Sequence, residues 1–419
     1  MDFTWKYGKE KVSFSVPDAA VDAVLKRNES ASPASETEII SRAFQNPIGS
    51  PRLVEIARNT KPKRVVIVIN DITRPTPYNL LLPAILGELH EAGVTPEQIT
   101  LLIATGIHRP QTKEENQQLY GSDIEEKYTI LNHDPDGDCV TIGTLPGGGE
   151  LAVNRLAVEA DLLITTGLVG LHYFAGYSGG RKSIVPGIAS RGTITASHAM
   201  MSDPRACQGN ITDNPVHETI LAAARTTGVD FIANIVTDEK KQIVAAAAGA
   251  LEEAWLAAVN ICRELSVVPL KQPADLVIAG CGGFPKDINL YQAQKALDAA
   301  APACREGGII LLAAACPEGL GEDTFEDWVM AAKTTQDIRD RFDTAFELGG
   351  HKAYAIVKVV EAKRVWLYSQ MNEKLVRHCF MTPVNDLQAA IDQALKELGP
   401  AARAVIMPEA AAIAVQLQK

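Results

Sequence analysis

Five groups of residues in this chain have the types and spacing to handle protons, anions or a metal. Asp71-Ile72-Thr73-Arg74 puts an acid, a hydroxyl and a guanidinium within one short stretch that prolines stiffen. An arginine fork there can grip a carboxylate or phosphate at two points; the plainer reading is a capped turn with a surface ion pair. His108 follows in Gly106-Ile-His-Arg-Pro, where an imidazole titrating near neutrality suits proton exchange, although a lone histidine at such a place is more often structural. The densest stretch runs from Gly167 to Gly187: its glycines permit close backbone approach to a ligand, and His172, Tyr177, Ser178, Arg181 and Lys182 supply polar groups. His198 lies in TITASHAMM on an expected helix and, read alone, is a half-buried histidine with one satisfied nitrogen, while His217-Glu218 reads as an ordinary helix face. Gln292 and Lys295, three apart after a glycine-rich turn, share a helix face that can anchor an anion or simply face solvent.

Several familiar chemistries are disfavoured by what these stretches omit. Arg181 separates Gly180 from Lys182, which breaks the phosphate-loop pattern, and Pro186 stands where that loop's helix should continue. No G-x-G-x-x-G follows a strand, and no paired-histidine motif surrounds His198, so a metal held wholly by protein would need distant ligands. The seven cysteines contain no C-x-x-C, which argues against a disulfide framework or structural zinc and for a reducing cytoplasm. A net charge of −11 makes nucleic acid an unlikely partner, and no apolar run is long enough to span a bilayer.

The elements that must position these residues alternate between short β-branched runs and amphipathic stretches. Strands are expected at Arg64 to Asn70, Ile99 to Thr105, Asp161 to Thr166, Phe231 to Val236 and Asp275 to Ala279, with helices at Tyr78 to Ala92 and, alanine-rich, from Ile243 to Leu265. Thr112 and Glu115 have capping-box spacing. At 419 residues the chain calls for more than one core. The reading is two α/β domains with mostly parallel, helix-covered sheets and an active-site cleft between them. The first spans residues 1–270, which residues 404–419 could complete, and the second spans 271–403. Ligands in such sheets collect at the carboxyl ends of strands, where Asp71, His108 and the Gly167 stretch all fall.

Taken in order, these motifs resemble the nickel-dependent lactate racemase family: Asp71-Ile-Thr73-Arg74, an isolated His108, His172 followed by Ser-Gly-Gly-Arg-Lys182, a later His198, and Gln292 with Lys295. The resemblance runs over nearly the whole chain. It implies a 2-hydroxy acid racemase or epimerase, an isomerase, with a nickel-pincer pyridinium-3-thioamide-5-thiocarboxylate mononucleotide made by dedicated cofactor-biosynthesis enzymes. Lys182 would carry the covalent thioamide link and His198 would be the nickel ligand. Residues Asp71, Ile72, Thr73 and Arg74 would contact the cofactor. Arg74, Gln292 and Lys295 would bind the substrate, and His108 and His172 would be the two acid/bases. Members act on different 2-hydroxy acids, so lactate is the default. Two alternatives stay open: a nicotinamide-dependent 2-hydroxy acid dehydrogenase, against which the missing dinucleotide fingerprint speaks, and a non-catalytic nickel or cofactor carrier, which would need no pair of bases.

Overall fold

The computed structural model describes residues 1–29, 34–74 and 76–418; Pro75, one of the prolines expected to stiffen the Asp71 loop, lies outside the described residues. The chain forms two compact units, one of residues 29–265 and one assembled from Met1–Asn28 with Ser266–Lys419. Among the described residues no helix is long and apolar enough to cross a membrane.

In the unit of residues 29–265 a six-stranded sheet runs, in spatial order, Ile243–Gly249, Phe231–Thr237, Leu162–Leu168, Val65–Asn70, Ile99–Ala104, Thr129–Asn132. Neighbours are parallel except for the edge pair formed by Ile243–Gly249. Val65 to Ile69 are each at most 3 % exposed, which is why this strand reads as an unbroken apolar run with no polar face. Helix Tyr78–Glu91 lays Leu81, Leu82, Ile85 and Leu89 into the core beside Ile67, Ile69 and Leu101. The chain enters at Val65–Asn70, steps outward through Ile99–Ala104 to Thr129–Asn132, then returns to the other flank at Leu162–Leu168. That reversal puts a topological switch point between two central strands, and the loops leaving their carboxyl ends are those of Asp71 and Gly167 to Gly187.

The expected helix from Ile243 to Leu265 is corrected. Ile243–Gly249 is a strand, and the helix covers only Leu251–Ser266. The alanines pair antiparallel with Phe231–Thr237, and Gly249, at φ +136°, ends the strand where a Cβ would lie 2.2 Å from the Ile48 carbonyl oxygen.

The second unit has its own six-stranded sheet, ordered Thr382–Val384, Arg364–Tyr368, Cys304–Ala313, Ala274–Gly280, Ala404–Met407, Val21–Val24, with every neighbour parallel. The expected division at 270/271 differs from this at both ends of the chain. Val21–Val24 is an edge strand of the second sheet, and the hairpin of Asp2–Tyr7 with Glu10–Ser15 packs Trp5 and Phe14 into a core with Leu276, Ile278, Ile309 and Leu311. Ala404–Met407 hydrogen-bonds to Ala274–Gly280, and Ala414–Leu417 to Val267–Leu270, so the chain's end completes the second unit and not the first. Here too the order reverses, between Ala274–Gly280 and Ala404–Met407.

Candidate active site

The loop after Val65–Asn70 is built around a buried carboxylate. Asp71 is 4 % exposed; its Oδ2 lies 2.6 Å from His108 Nδ1, and its Oδ1 accepts from the Thr73 N–H at 3.2 Å and the Thr73 hydroxyl at 2.6 Å. Burial opposes the charge, yet the His108 and Thr73 hydrogen bonds outweigh it and hold the carboxyl below the ordinary carboxylate range. An ionised Asp71 can only accept, so His108 carries its proton on Nδ1 and turns Nε2 into the basic nitrogen. The loop is fastened from behind by partners that no local pattern announces. The Ile72 N–H donates to Gln111 Oε1 at 2.7 Å, the Tyr120 hydroxyl donates to the Asn70 carbonyl at 2.7 Å, and the Asn70 N–H donates to the Tyr78 hydroxyl, itself 2.7 Å from Thr166 Oγ1. Arg74 is exposed and donates to Thr73 Oγ1 at 3.0 Å.

The stretch from Gly167 to Gly187 folds back on itself at close quarters. A Cβ on Gly167 would sit 2.5 Å from the Gly180 nitrogen, so only glycine lets the strand end and the following turn meet. Leu171–His172 pairs antiparallel with Gly176–Tyr177, and a short turn, Gly180–Ser183, carries Arg181 and Lys182. Gly106 donates to the Gly187 carbonyl at 2.9 Å, which joins the His108 loop to this stretch. Arg181 is wholly buried: its guanidinium reaches the carbonyls of Ala175 and Tyr177 at 3.1 and 3.2 Å, its Nε donates to His217 Nδ1 at 3.0 Å, and it stacks 3.8 Å from the Trp255 ring. The His217 that reads as an ordinary helix face is thus a buried acceptor.

Lys182 Nζ lies 3.0 Å from His172 Nε2, while the Ala175 N–H donates to His172 Nδ1 at 3.3 Å. A neutral imidazole has one N–H; with Nδ1 accepting, it sits on Nε2 and donates to the Lys182 amine, which requires that amine to be neutral. Electrostatics agree, because burial first, then the Arg181 and Arg74 charges, push the Lys182 ammonium well below its ordinary range. His198, near the end of helix Arg191–Ala199, is pushed down to about 3, burial being the first cause, so its ring is neutral. Phe174 joins these groups: its ring is edge-on to His172 at 4.6 Å and to His198 at 5.0 Å, and Lys182 Nζ lies 5.4 Å above it. Sequence reasoning passed over Phe174 and Gln111. The run His172-Tyr-Phe174 beside a lysine ten residues on was the available signal for the first; Gln111 had none.

Asp71 and His108 therefore meet directly, as do His172 and Lys182, with His198 reached through Phe174. Gln292 and Lys295 lie in the second unit on helix Leu290–Ala300, where Lys295 donates to Gln292 Oε1 at 2.7 Å. Tyr291, on the same helix, packs edge-on to Phe325.

Comparisons with known proteins identify the family of the chain. Residues 7–209 match the lactate racemase N-terminal domain, and residues 270–415 match the lactate racemase C-terminal domain. The chain is 36 % identical to a lactate racemase of Thermoanaerobacterium thermosaccharolyticum over 422 residues, 98 % of each chain, and 36 % identical to one of Lactiplantibacillus plantarum over 393 residues, 91 % of each. The fold superposes on the lactate racemase apoprotein of T. thermosaccharolyticum with a TM-score of 0.93 and 35 % identity, covering 99 % of this chain and all of that one. A Thermotoga maritima protein at TM-score 0.69 and 19 % identity shares the fold. With both domains matched and relatives aligned almost end to end, this chain belongs to the lactate racemase family.

Proposed function

We propose that the protein interconverts the enantiomers of a 2-hydroxy acid, lactate first, with a nickel-pincer pyridinium mononucleotide held by Lys182 and His198. The observation that carries this reading is the placement of the Lys182 amine, 3.0 Å from His172 and over the Phe174 ring that also touches His198. The residues fit such a group. A half-buried amine whose charge is disfavoured suits the neutral form that makes a thioamide bond. A neutral imidazole is a metal ligand, and no cluster of three or more His, Cys, Asp or Glu among the described residues can hold a metal, so a lone histidine suits a metal whose other donors arrive with the cofactor. When bound, the cofactor supplies the sulfur and carbon donors for nickel and a ring carbon that can accept the α-hydrogen as hydride.

The chain's own groups handle the protons and the orientation. His108, its Nδ1 tied to Asp71, presents Nε2 to the hydroxyl of one enantiomer. His172, whose proton sits on Nε2, faces the oxygen of the other enantiomer and starts as the acid, and the two histidines exchange parts in the reverse direction. In this reading Asp71 orients His108, and Ile72, Thr73 and Arg74 make up the rest of the wall along the cofactor. Gln292 and Lys295 are the substrate-binding pair of their unit, suited to a carboxylate, and Arg74 is the substrate-binding residue of the other. The scattered cysteines, with no C-x-x-C among them, support a cytoplasmic setting, where the cofactor-biosynthesis enzymes would load the chain.

The test is racemisation of L-lactate deuterated at the α-carbon, by protein produced with those biosynthesis enzymes. If His108 and His172 carry only the hydroxyl proton, the α-label never visits an exchangeable N–H and stays in the D-lactate. Wholesale loss of label to water would overturn this assignment of the histidines, and a requirement for added nicotinamide cofactor would favour a dehydrogenase.

A further inference from the structure

The second unit has a cavity of about 210 Å³ lined by Cys281, Lys286, Gln292, Lys295, Ala296 and Ala411. Its place is set by topology: Cys281 directly follows strand Ala274–Gly280, and Ala411 follows Ala404–Met407, the two neighbours at which this sheet's order reverses. Helix Leu290–Ala300 supplies the remaining wall with Gln292, Lys295 and Ala296. The side chains Cys281, Ala296 and Ala411 are small, and burial keeps the Cys281 thiol protonated. Two cations reach the cavity. Lys295 donates to Gln292 Oε1 at 2.7 Å, and Lys286 Nζ lies 2.7 Å from Glu409 Oε2.

The Lys286–Glu409 pair is built into the backbone around it. Cys281 and Glu409 form an antiparallel bridge, which fixes the stem of the acid beside the cavity. Gly282, at φ +89°, lets the carboxylate lie across its Cα: a Cβ there would be 2.9 Å from Glu409 Oε2. The acid thus occupies the position from which a second anionic group of a ligand would approach Lys286.

We propose that Glu409 is a specificity-determining residue: by neutralising Lys286 it makes this cavity a site for small 2-hydroxy monocarboxylates and bars those with a second carboxylate, such as malate. The inference rests on the reading above that Gln292 and Lys295 receive the substrate carboxylate. A monocarboxylate uses that pair and leaves its short side chain against Ala296, Ala411 and Cys281. A dicarboxylate would bring its second charge against Glu409 and find Lys286 already engaged.

The test uses cofactor-loaded full-length protein and two readouts, equilibrium binding by calorimetry and racemisation rate, each with lactate and malate. The wild type is expected to bind lactate at least tenfold more tightly than malate. Glu409→Gln, which leaves Lys286 charged without its acid, should raise the malate-to-lactate ratio about tenfold or more in both readouts. Lys286→Gln, which leaves the acid without its cation, should lower the ratio and serves if the first variant folds poorly. A wild type that binds malate as well as lactate, or a ratio unmoved in both variants, overturns the proposal. If binding follows the expected pattern while neither acid is racemised, the racemase reading fails and the assignment of Glu409 stands.

Discussion

The two units use the same device, a switch point in a parallel sheet, to build opposite kinds of site. In residues 29–265 the loops at the switch are crowded and locked by backbone groups: Gly167 touches the Gly180 turn, Arg181 is sealed against carbonyls, and the imidazoles of His108 and His172 each have one nitrogen assigned by a fixed partner. In the second unit the switch leaves a cavity, and its polar groups come from a helix face and one ion pair that is partly exposed. The difference teaches a division of labour. Groups whose protonation state matters are held by partners that set it, and groups suited to recognising an anion stand at a cavity wall.

The sharpest way to break that comparison is to remove the bases. His108→Ala and His172→Ala should each lower kcat by roughly two to four orders of magnitude, as loss of an acid or base does, with much less change in substrate affinity. A variant that lost affinity instead would move that histidine to the recognition side.

Asp71→Asn is the next in size. Thr73 donates twice to Asp71 Oδ1, so the amide oxygen of an asparagine would settle there and its NH₂ would face His108 Nδ1. The ring proton would then shift to Nε2 and block the base; a loss of about 10²-fold in kcat is expected, the scale of a misplaced catalytic group. Because the folded Asp71 carboxyl is held below its ordinary range, its contribution to stability is present above the unfolded value and is lost as pH falls through the folded one. Thermal melts should show the variant's deficit unchanged from pH 7 to 5 and shrinking only in stronger acid.

Lys295→Met should act on KM, raising it about 10- to 100-fold with kcat less affected, the cost of a charge-assisted hydrogen bond of roughly 1.5–3 kcal/mol. The smallest effect is one of profile. In cofactor-free protein, the rate at which Lys182 reacts with a small acylating reagent should level off at lower pH than that of an exposed lysine, because burial first and then the Arg181 and Arg74 charges disfavour its ammonium. Peptide mapping by mass spectrometry reads both, and a rate at Lys182 that levels off no earlier would mean the amine is charged and the His172 tautomer reversed.

Much of this was legible in the sequence, for identifiable reasons. Val65 to Ile69 could hardly be anything but a buried strand, and the Thr112–Glu115 cap is present as spaced. The edge strand Ile243–Gly249 was misread because alanine favours helices and the pairing that overrides it, with Phe231–Thr237, is invisible locally. Met1–Asn28 was given to the wrong unit because Val21–Val24 joins, and the hairpin before it packs on, a sheet formed mostly some 250 residues and more downstream. In the site, residues that do their work by type stood out, among them Asp71, His108 and Lys182. Those that act by contact did not: Gln111 reaches the Ile72 N–H across 39 positions, and His217 holds Arg181 across 36.

The central claim, that the crowded site carries a covalent cofactor on Lys182 with nickel held at His198, is tested most directly on one sample. Protein produced with the cofactor-biosynthesis enzymes is analysed by peptide mass mapping and metal quantification, alongside Lys182→Arg and His198→Ala. The account predicts an adduct on the Lys182 peptide and stoichiometric nickel in the active wild type, neither in the Lys182 variant, and adduct with depleted nickel in the His198 variant. An active enzyme whose Lys182 is unmodified would contradict it.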